Sequence, residues 1–238
     1  METALENRTV LVIGRPSGIA RAVTLAARAQ GAQVVVAGRD KAKLAQAYDD
    51  EGIRAEEVDV TVDESIAALA ERLGSVDHLV TTASSRARGL LAELDRDALR
   101  RSFDTKVIGP VMLAKHFAPH LAEGGSFTLF SGVAAFKPAV GFLGVAITNG
   151  AADFLTRSLS LELAPIRVNA ISPGVIDTGI WDAMGEEGKA AYFEHFRTHN
   201  PARRIGAVDD IASAVLFAMT NPFFTGVTLR VDGGEPLT

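Results

Sequence analysis

Residues Thr9–Ala20, TVLVIGRPSGIA, constrain the fold more than any other stretch of the chain. An apolar run, Val10–Ile13, meets Gly14-Arg15-Pro16-Ser17-Gly18, and an amphipathic segment from Ile19 through Ala22, Val23, Leu25 and Ala26 continues to Gly31. A buried strand, a tight turn and a helix are the elements such a pattern encodes. Gly14 opens backbone angles closed to other residues, and Gly18 admits close approach of a ligand. The helix N-terminus behind them offers unpaired N–H groups and a positive dipole end to a pyrophosphate. A second apolar run, Val34–Ala37, closes a βαβ unit. Without that context, the same glycines mark only an ordinary strand-to-helix turn.

Arg39 stands just past the second run, where a fold of this kind reads the adenosine ribose. A carboxylate there suits an unphosphorylated ribose. Gly38-Arg39 offers a guanidinium, which suits a 2′-phosphate, and Arg15 in the turn supplies a second positive charge. The expected cofactor is NADP(H) rather than NAD(H); the alternative for Arg39 is a solvated loop cation.

Strand and helix alternate through the rest of the chain. Strands are expected at Ile53–Val60, Val76–Thr82, Gly125–Ser131, Arg167–Ser172 and Val227–Val231. Helices are expected at Lys41–Asp50, Asp63–Leu73 with Asp63 as N-cap, Asp95–Leu121 with a kink near Gly109-Pro110, Phe142–Leu163 and Val208–Met219. Val175–Asn200 reads as an irregular, lid-like segment. The pattern predicts an α/β fold, a doubly wound parallel sheet with helices on both faces. Its 238 residues, 47% of them hydrophobic, fit a single domain. Ligands in such sheets sit beyond the carboxyl ends of the strands, which singles out Arg15, Arg39, Asp59, Ala83, Ser131 and Pro173 onward.

Composition removes several function classes. A net charge of -5 leaves no basic excess for nucleic acid or an anionic membrane. The absence of cysteine excludes disulfides, thiolate catalysis and cysteine-ligated metals, and fits a cytoplasmic protein. No run reaches membrane-spanning length, and METALENRTV lacks the apolar core of a signal peptide.

Gly14-Arg-Pro-Ser-Gly18-Ile-Ala20, Asp59-Val60, Arg167-Val-Asn169-Ala-Ile-Ser-Pro173-Gly174, Thr178 and Gly226-Val-Thr-Leu-Arg-Val-Asp-Gly-Gly234 make the chain resemble the short-chain dehydrogenase/reductase family over nearly its whole length. The resemblance implies a Rossmann sheet of about seven strands, hydride transfer at a carbonyl or alcohol of a small molecule, and a homodimer or homotetramer that meets through the apolar Phe142–Leu163 helix. It also implies that Asp59 and Val60 line the adenine, that Val175 and Thr178 hold the nicotinamide carboxamide, and that Ala83, Pro173 and Gly174 border the cofactor.

The family's chemistry uses a tyrosine that exchanges a proton with the substrate oxygen and a lysine four residues later that lowers the tyrosine's pKa and binds the ribose. A serine orients the carbonyl and an asparagine holds a water relay. Proton delivery has to accompany hydride transfer, because a bare alkoxide is too basic to leave near neutral pH. This sequence departs from the set throughout. Val145 falls at the tyrosine position, Asn149 at the lysine, Gly132 at the serine with Ser131 one place earlier, and Lys106 at the asparagine. The family's Asn-Asn-Ala-Gly reads Thr81-Thr82-Ala83-Ser84, while Ile13 and Ala20 are milder changes.

The chain has two tyrosines. Tyr48 is expected in an early helix on the adenosine side, and Tyr192 in the lid. Lysine and asparagine have changed places, as Lys106 and Asn149. If the two are neighbours, a buried ammonium with a depressed pKa survives near the nicotinamide ribose and Lys106 is the best available proton donor. The alternative is that Lys106 fills and neutralises a vestigial site. The catalytic candidates are Lys106, Ser131, Asn149 and Tyr192. Two readings follow: an NADP(H)-dependent oxidoreductase acting on a small carbonyl, imine or enone, or a catalytically inactive NADP(H)-binding sensor or structural subunit.

Other features are weaker. His195 and His199 have metal-like spacing but no third ligand, so no metal is expected. Arg86 and Arg88 are either contacts for an acidic substrate or exposed loop arginines. Trp181, Phe193 and Phe196 either cover a substrate or pack the lid.

Overall fold

A computed structural model describes residues 3–238. The seven strands are β1 Thr9–Ile13, β2 Gln33–Gly38, β3 Ile53–Glu57, β4 Val76–Thr81, β5 Leu121–Phe130, β6 Arg167–Pro173 and β7 Thr228–Val231. They form one sheet in the order β3-β2-β1-β4-β5-β6-β7, and every pairing is parallel. The helices are α1 Gly18–Ala29, α2 Lys41–Gln46, α3 Asp63–Leu73, α4 Arg96–Phe103, α5 Gly109–Phe117, α6 Leu143–Glu162, α7 Gly185–His199 and α8 Val208–Thr220.

β1 shows why its sequence is a continuous apolar run. Leu11 and Ile13 join a core with α3, α5 and α6, while Val10 and Val12 join a second core with α1 and α8 on the opposite face. A parallel strand buried on both faces needs no polar alternation. The chain order reverses between β1 and β4, and the crevice at that switch point lies beyond their carboxyl ends.

Several local expectations change. β3 stops at Glu57, so Asp59 and Val60 lie in the following loop, where the Asp59 carboxylate accepts the Thr61 N–H at 2.9 Å and hydroxyl at 2.7 Å. That local turn competes with continuation of the strand. Tyr48 lies beyond the end of the short α2 rather than within a helix. Val62, not Asp63, caps α3; the Asp63 carboxylate instead meets His116 Nε2 at 2.8 Å and Lys115 Nζ at 3.3 Å, tying α3 to α5. β5 starts at Leu121, earlier than Gly125. The lid is less irregular than expected, since α7 occupies most of it.

The single long helix expected over 95–121 is divided. Between α4 and α5, Asp104–Ile108 forms a π-helical turn, in which the Gly109 N–H reaches back to the Asp104 carbonyl. Pro110 explains it. Proline has no N–H to give the carbonyl four residues earlier, here Lys106, and its ring crowds that carbonyl. The widened turn carries Lys106. Gly109 lets it sit close, because a Cβ there would lie 2.8 Å from the Val60 carbonyl oxygen. Single π turns are often found at functional sites.

Candidate active site

The glycine turn forms a cradle with no room for side chains. The Gly14 N–H bonds the Ala37 carbonyl at 2.9 Å, and a Cβ on Gly14 would stand 2.2 Å from Thr82 Oγ1 and 2.9 Å from Ala20 Cβ. Gly18 has φ +56, and a Cβ there would lie 3.3 Å from Thr178 Cβ. Two sequence candidates distant in the chain are thus brought together. Ser17 occupies the N-cap of α1 without a side-chain capping bond, and the first turn holds no acid. Its N–H groups therefore remain open to an anion. A Cβ on Gly174 would come within 2.7 Å of Asp232 Cα, so the lid begins where the C-terminal loop grips the chain after Pro173.

Arg15 and Arg39 make no ion pair among the described residues. The Asp59 carboxyl is held below its ordinary value, first by the Thr61 hydroxyl and further by the Arg39 charge. The Arg39 charge is therefore near enough to be felt at Asp59. An uncapped helix start, a backbone cradle and two guanidiniums without an ion pair among the described residues fit the anionic diphosphate of a dinucleotide. A cavity of about 530 Å³ also borders Gly18 and Thr178 between α1 and α8. Arg21, Asp177 and Asp209 line it, and no catalytic candidate reaches it.

Lys106, Ser131 and Asn149 converge. Lys106 Nζ donates to the Ser131 carbonyl at 3.0 Å and to Asn149 Oδ1, while the Ser131 hydroxyl donates to the Asn149 carbonyl at 2.9 Å. The π turn, the end of β5 and the middle of α6 are thereby locked into one unit. Burial, with the Arg86 charge adding, pulls the Lys106 ammonium down to about 7. An ammonium has three protons to donate, and two are engaged. Among the described residues the third has no acceptor, and Lys106 is half-buried. Ser131 is buried, and its only proton serves α6. At Gly132, a Cβ would crowd Asn149 Nδ2 at 2.7 Å.

Tyr192 stands apart from this cluster. Its ring packs against Trp181 at 4.7 Å and Phe196 at 4.9 Å, with Phe193 at 6.4 Å. Burial raises its pKa, the Glu235 charge adds to this and Arg88 opposes it. A phenol made harder to ionise is a poor stand-in for a proton-exchanging tyrosine. His195 and His199 stack at 4.3 Å, and no group of three potential metal ligands exists among the described residues.

Two features escaped the sequence reading. Glu235 is buried with its pKa raised by desolvation, and its charge reaches Tyr192. Arg88 lies over the Phe142 ring at 4.7 Å and near the Trp181 ring at 6.0 Å. Neither neighbour is close to Arg88 in sequence, so no local signal announced the contact.

A doubly wound parallel sheet with a glycine turn after its first strand is an architecture shared by nicotinamide-dependent oxidoreductases. The family model described as enoyl-(acyl carrier protein) reductase matches residues 13–235. The short-chain dehydrogenase/reductase ucsE of Acremonium sp is 34% identical, over 97% of this chain and 96% of its own. A solved small-chain dehydrogenase in complex with NADPH superposes with a TM-score of 0.84 at 32% identity, covering 97% of this chain and 99% of the other. The MalC reductase/Diels-Alderase from Malbranchea aurantiaca gives a TM-score of 0.91 at 26% identity, covering 100% and 99%. The chain belongs to the short-chain dehydrogenase/reductase family. No helix among the described residues is long and apolar enough to cross a membrane.

Proposed function

We propose that this protein is an NADP(H)-dependent oxidoreductase whose proton route runs through Lys106 in place of the family's tyrosine. The observation that carries this reading is the Lys106 ammonium, held against Asn149 Oδ1 and the Ser131 carbonyl with its pKa near neutrality. Gly14, Ser17, Gly18 and Ile19 cradle the pyrophosphate. Arg15 and Arg39 take the 2′-phosphate, Asp59, Val60 and Ala83 border the adenosine half, and Pro173, Gly174, Val175 and Thr178 hold the nicotinamide end. When bound, the nicotinamide supplies or removes a hydride. Asn149 and the Ser131 carbonyl fix the lysine, and its remaining proton would be the one delivered to the substrate as the hydride adds.

A general acid near pKa 7 is matched to neutral pH. It suits a small carbonyl, and it suits an imine or an enone better, since these ask less of the enzymic acid. The test is NADPH consumption across matched carbonyl, imine and enone panels. Turnover above background supports the reading, and a blank across all three opposes it.

Two observations favour a second reading, a catalytically inactive NADP(H)-binding sensor or structural subunit. Val145 stands in the tyrosine position, and the Ser131 hydroxyl is engaged within the fold. That reading predicts micromolar NADPH binding, roughly −8 kcal/mol, without turnover.

A homo-oligomer is part of the proposal. Leu143, Ile147, Phe154 and Leu161 are spaced to share one face of α6, and all are exposed, Phe154 at 67% and Leu161 at 82%. Such a stripe on a water-facing helix marks a protein interface. Phe154→Glu is therefore expected to shift the dominant species to a smaller oligomer in light scattering coupled to gel filtration. An unchanged mass would remove α6 as the contact.

A further inference from the structure

The loop after β4 carries two exposed arginines, Arg86 and Arg88, and neither has a counter-ion among the described residues. Ala87, between them, is buried, and Gly144 of α6 is bare enough to receive it: a Cβ there would lie 2.8 Å from the Ala87 carbonyl oxygen and 2.9 Å from its Cβ. The Ser102 hydroxyl holds the Ser85 carbonyl at 2.7 Å, and the Gly89 N–H holds the Gly141 carbonyl at 3.0 Å. The loop is thus pinned on both sides of Ala87, and the residues flanking it are exposed. Neither Arg86 nor Arg88 has an ion pair among the described residues, although ten other arginines do.

Their positions relate them to both halves of the site. Arg86 lies close enough to Lys106, Arg88 and Arg15 for its charge to be felt by the first and to feel the other two. The Arg88 guanidinium rests on Phe142 at 4.7 Å and beside Trp181 at 6.0 Å, and Trp181 leads to Tyr192 and Phe196. Trp181 is itself fixed, its Nε1–H donating to the Ile176 carbonyl at 2.8 Å. Clustered cations without a counter-ion focus a positive potential in a cleft. A guanidinium stacked on an aromatic face keeps its planar edge of N–H donors free for a carboxylate.

We propose that Arg86 and Arg88 form a clamp for an anionic substrate, specifically a small acid whose carboxylate is joined to an aromatic ring, directly or through a double bond. The carboxylate lies between the two guanidiniums and the ring lies against Phe142 and Trp181. This assignment rests on the cleft beside Lys106 being the substrate site, and it adds the substrate's charge and shape to that reading.

The chain contains one tryptophan, Trp181, so its fluorescence reports this position alone. Cinnamate and its neutral amide are titrated into the intact protein, with and without NADP⁺, and tryptophan emission is followed. Cinnamate is expected to quench saturably and to bind at least about 10-fold more tightly than the amide. Arg88→Gln is expected to weaken cinnamate about 10- to 100-fold with little effect on the amide, and Arg86→Gln to act in the same sense. Raised salt is expected to weaken the acid and spare the amide. Equal binding of acid and amide, or an Arg88→Gln variant that melts like the parent and binds cinnamate unchanged, overturns the clamp. The measurement needs no turnover. Acid binding without NADPH consumption would leave the clamp standing and remove the redox reading; NADPH consumption by neutral substrates with cinnamate ignored would do the reverse.

Discussion

Lys106→Met is expected to lower kcat for NADPH-driven reduction by roughly 10²- to 10⁴-fold, the usual worth of a positioned general acid. The parent's pH profile gives the sharper check. With the Lys106 ammonium at about 7, reduction is expected to be fastest below that pH and to fall as pH rises through it, because the charged form donates. Oxidation of the corresponding product is expected to rise through the same pH. The limb should vanish in Lys106→Met. Lys106→Arg should bind NADPH and still turn over poorly, since a guanidinium keeps its proton at any working pH. A Met variant with the parent's rate and profile would make Lys106 a filler of the cleft. The same shift has a stability sign. The unfolded lysine titrates near 10.5 and the folded one near 7, so the unfolded state binds more protons between these values. This residue therefore contributes increasing stability as pH climbs from 7 towards 10.5, a slope the Met variant should lack in thermal melts.

Arg39→Ala is expected to weaken NADPH binding about 10- to 100-fold while leaving NADH within roughly 3-fold, as read by nicotinamide fluorescence titration. The reasoning is local. Arg39 follows β2, has no ion pair among the described residues, and its charge reaches Asp59, which is proposed to border the adenosine. A 2′-phosphate adds charge-assisted bonds there that a plain ribose hydroxyl does not make. Arg15→Ala in the same background should remove what preference remains. The discrimination should also shrink with added salt, since both guanidiniums border solvent. A parent protein that binds NADH as tightly as NADPH would refute the assignment of both arginines.

The inner strands of the sheet were legible because they are buried on both faces. Val10–Ile13 and Val34–Ala37 read as unbroken apolar runs for the same reason that β1 and β2 sit deep in the molecule. The glycine turn was legible because Gly14 and Gly18 occupy positions where a Cβ meets Thr82 or Thr178. The meeting of Lys106 with Asn149 was legible through the resemblance, whose register sets the two positions side by side. Features made by distant residues left no local mark. Proline and glycine at 109–110 signalled a disturbance, yet only the hydrogen-bond pattern distinguishes a π turn from a kink. Asp63 has a good capping side chain, but His116 and Lys115 compete for it across the helix packing. Tyr192 could be named only as a lid residue, because its company of Trp181, Phe196 and Arg88 depends on how α7 folds back.

The Lys106–Asn149 contact also restricts the path by which such a site arises. Lysine at 149 while Lys106 remained would press two ammoniums into one poorly hydrated niche, a repulsion of about 4 kcal/mol at an effective dielectric near 20. Asparagine at both positions would leave that niche without a cation. A lineage passing between the two arrangements one substitution at a time therefore crosses a handicapped ancestor, whichever change comes first. An engineer who tests the proposed register by placing tyrosine at 145 and lysine at 149 meets the same obstacle, and has to neutralise position 106 in the same step.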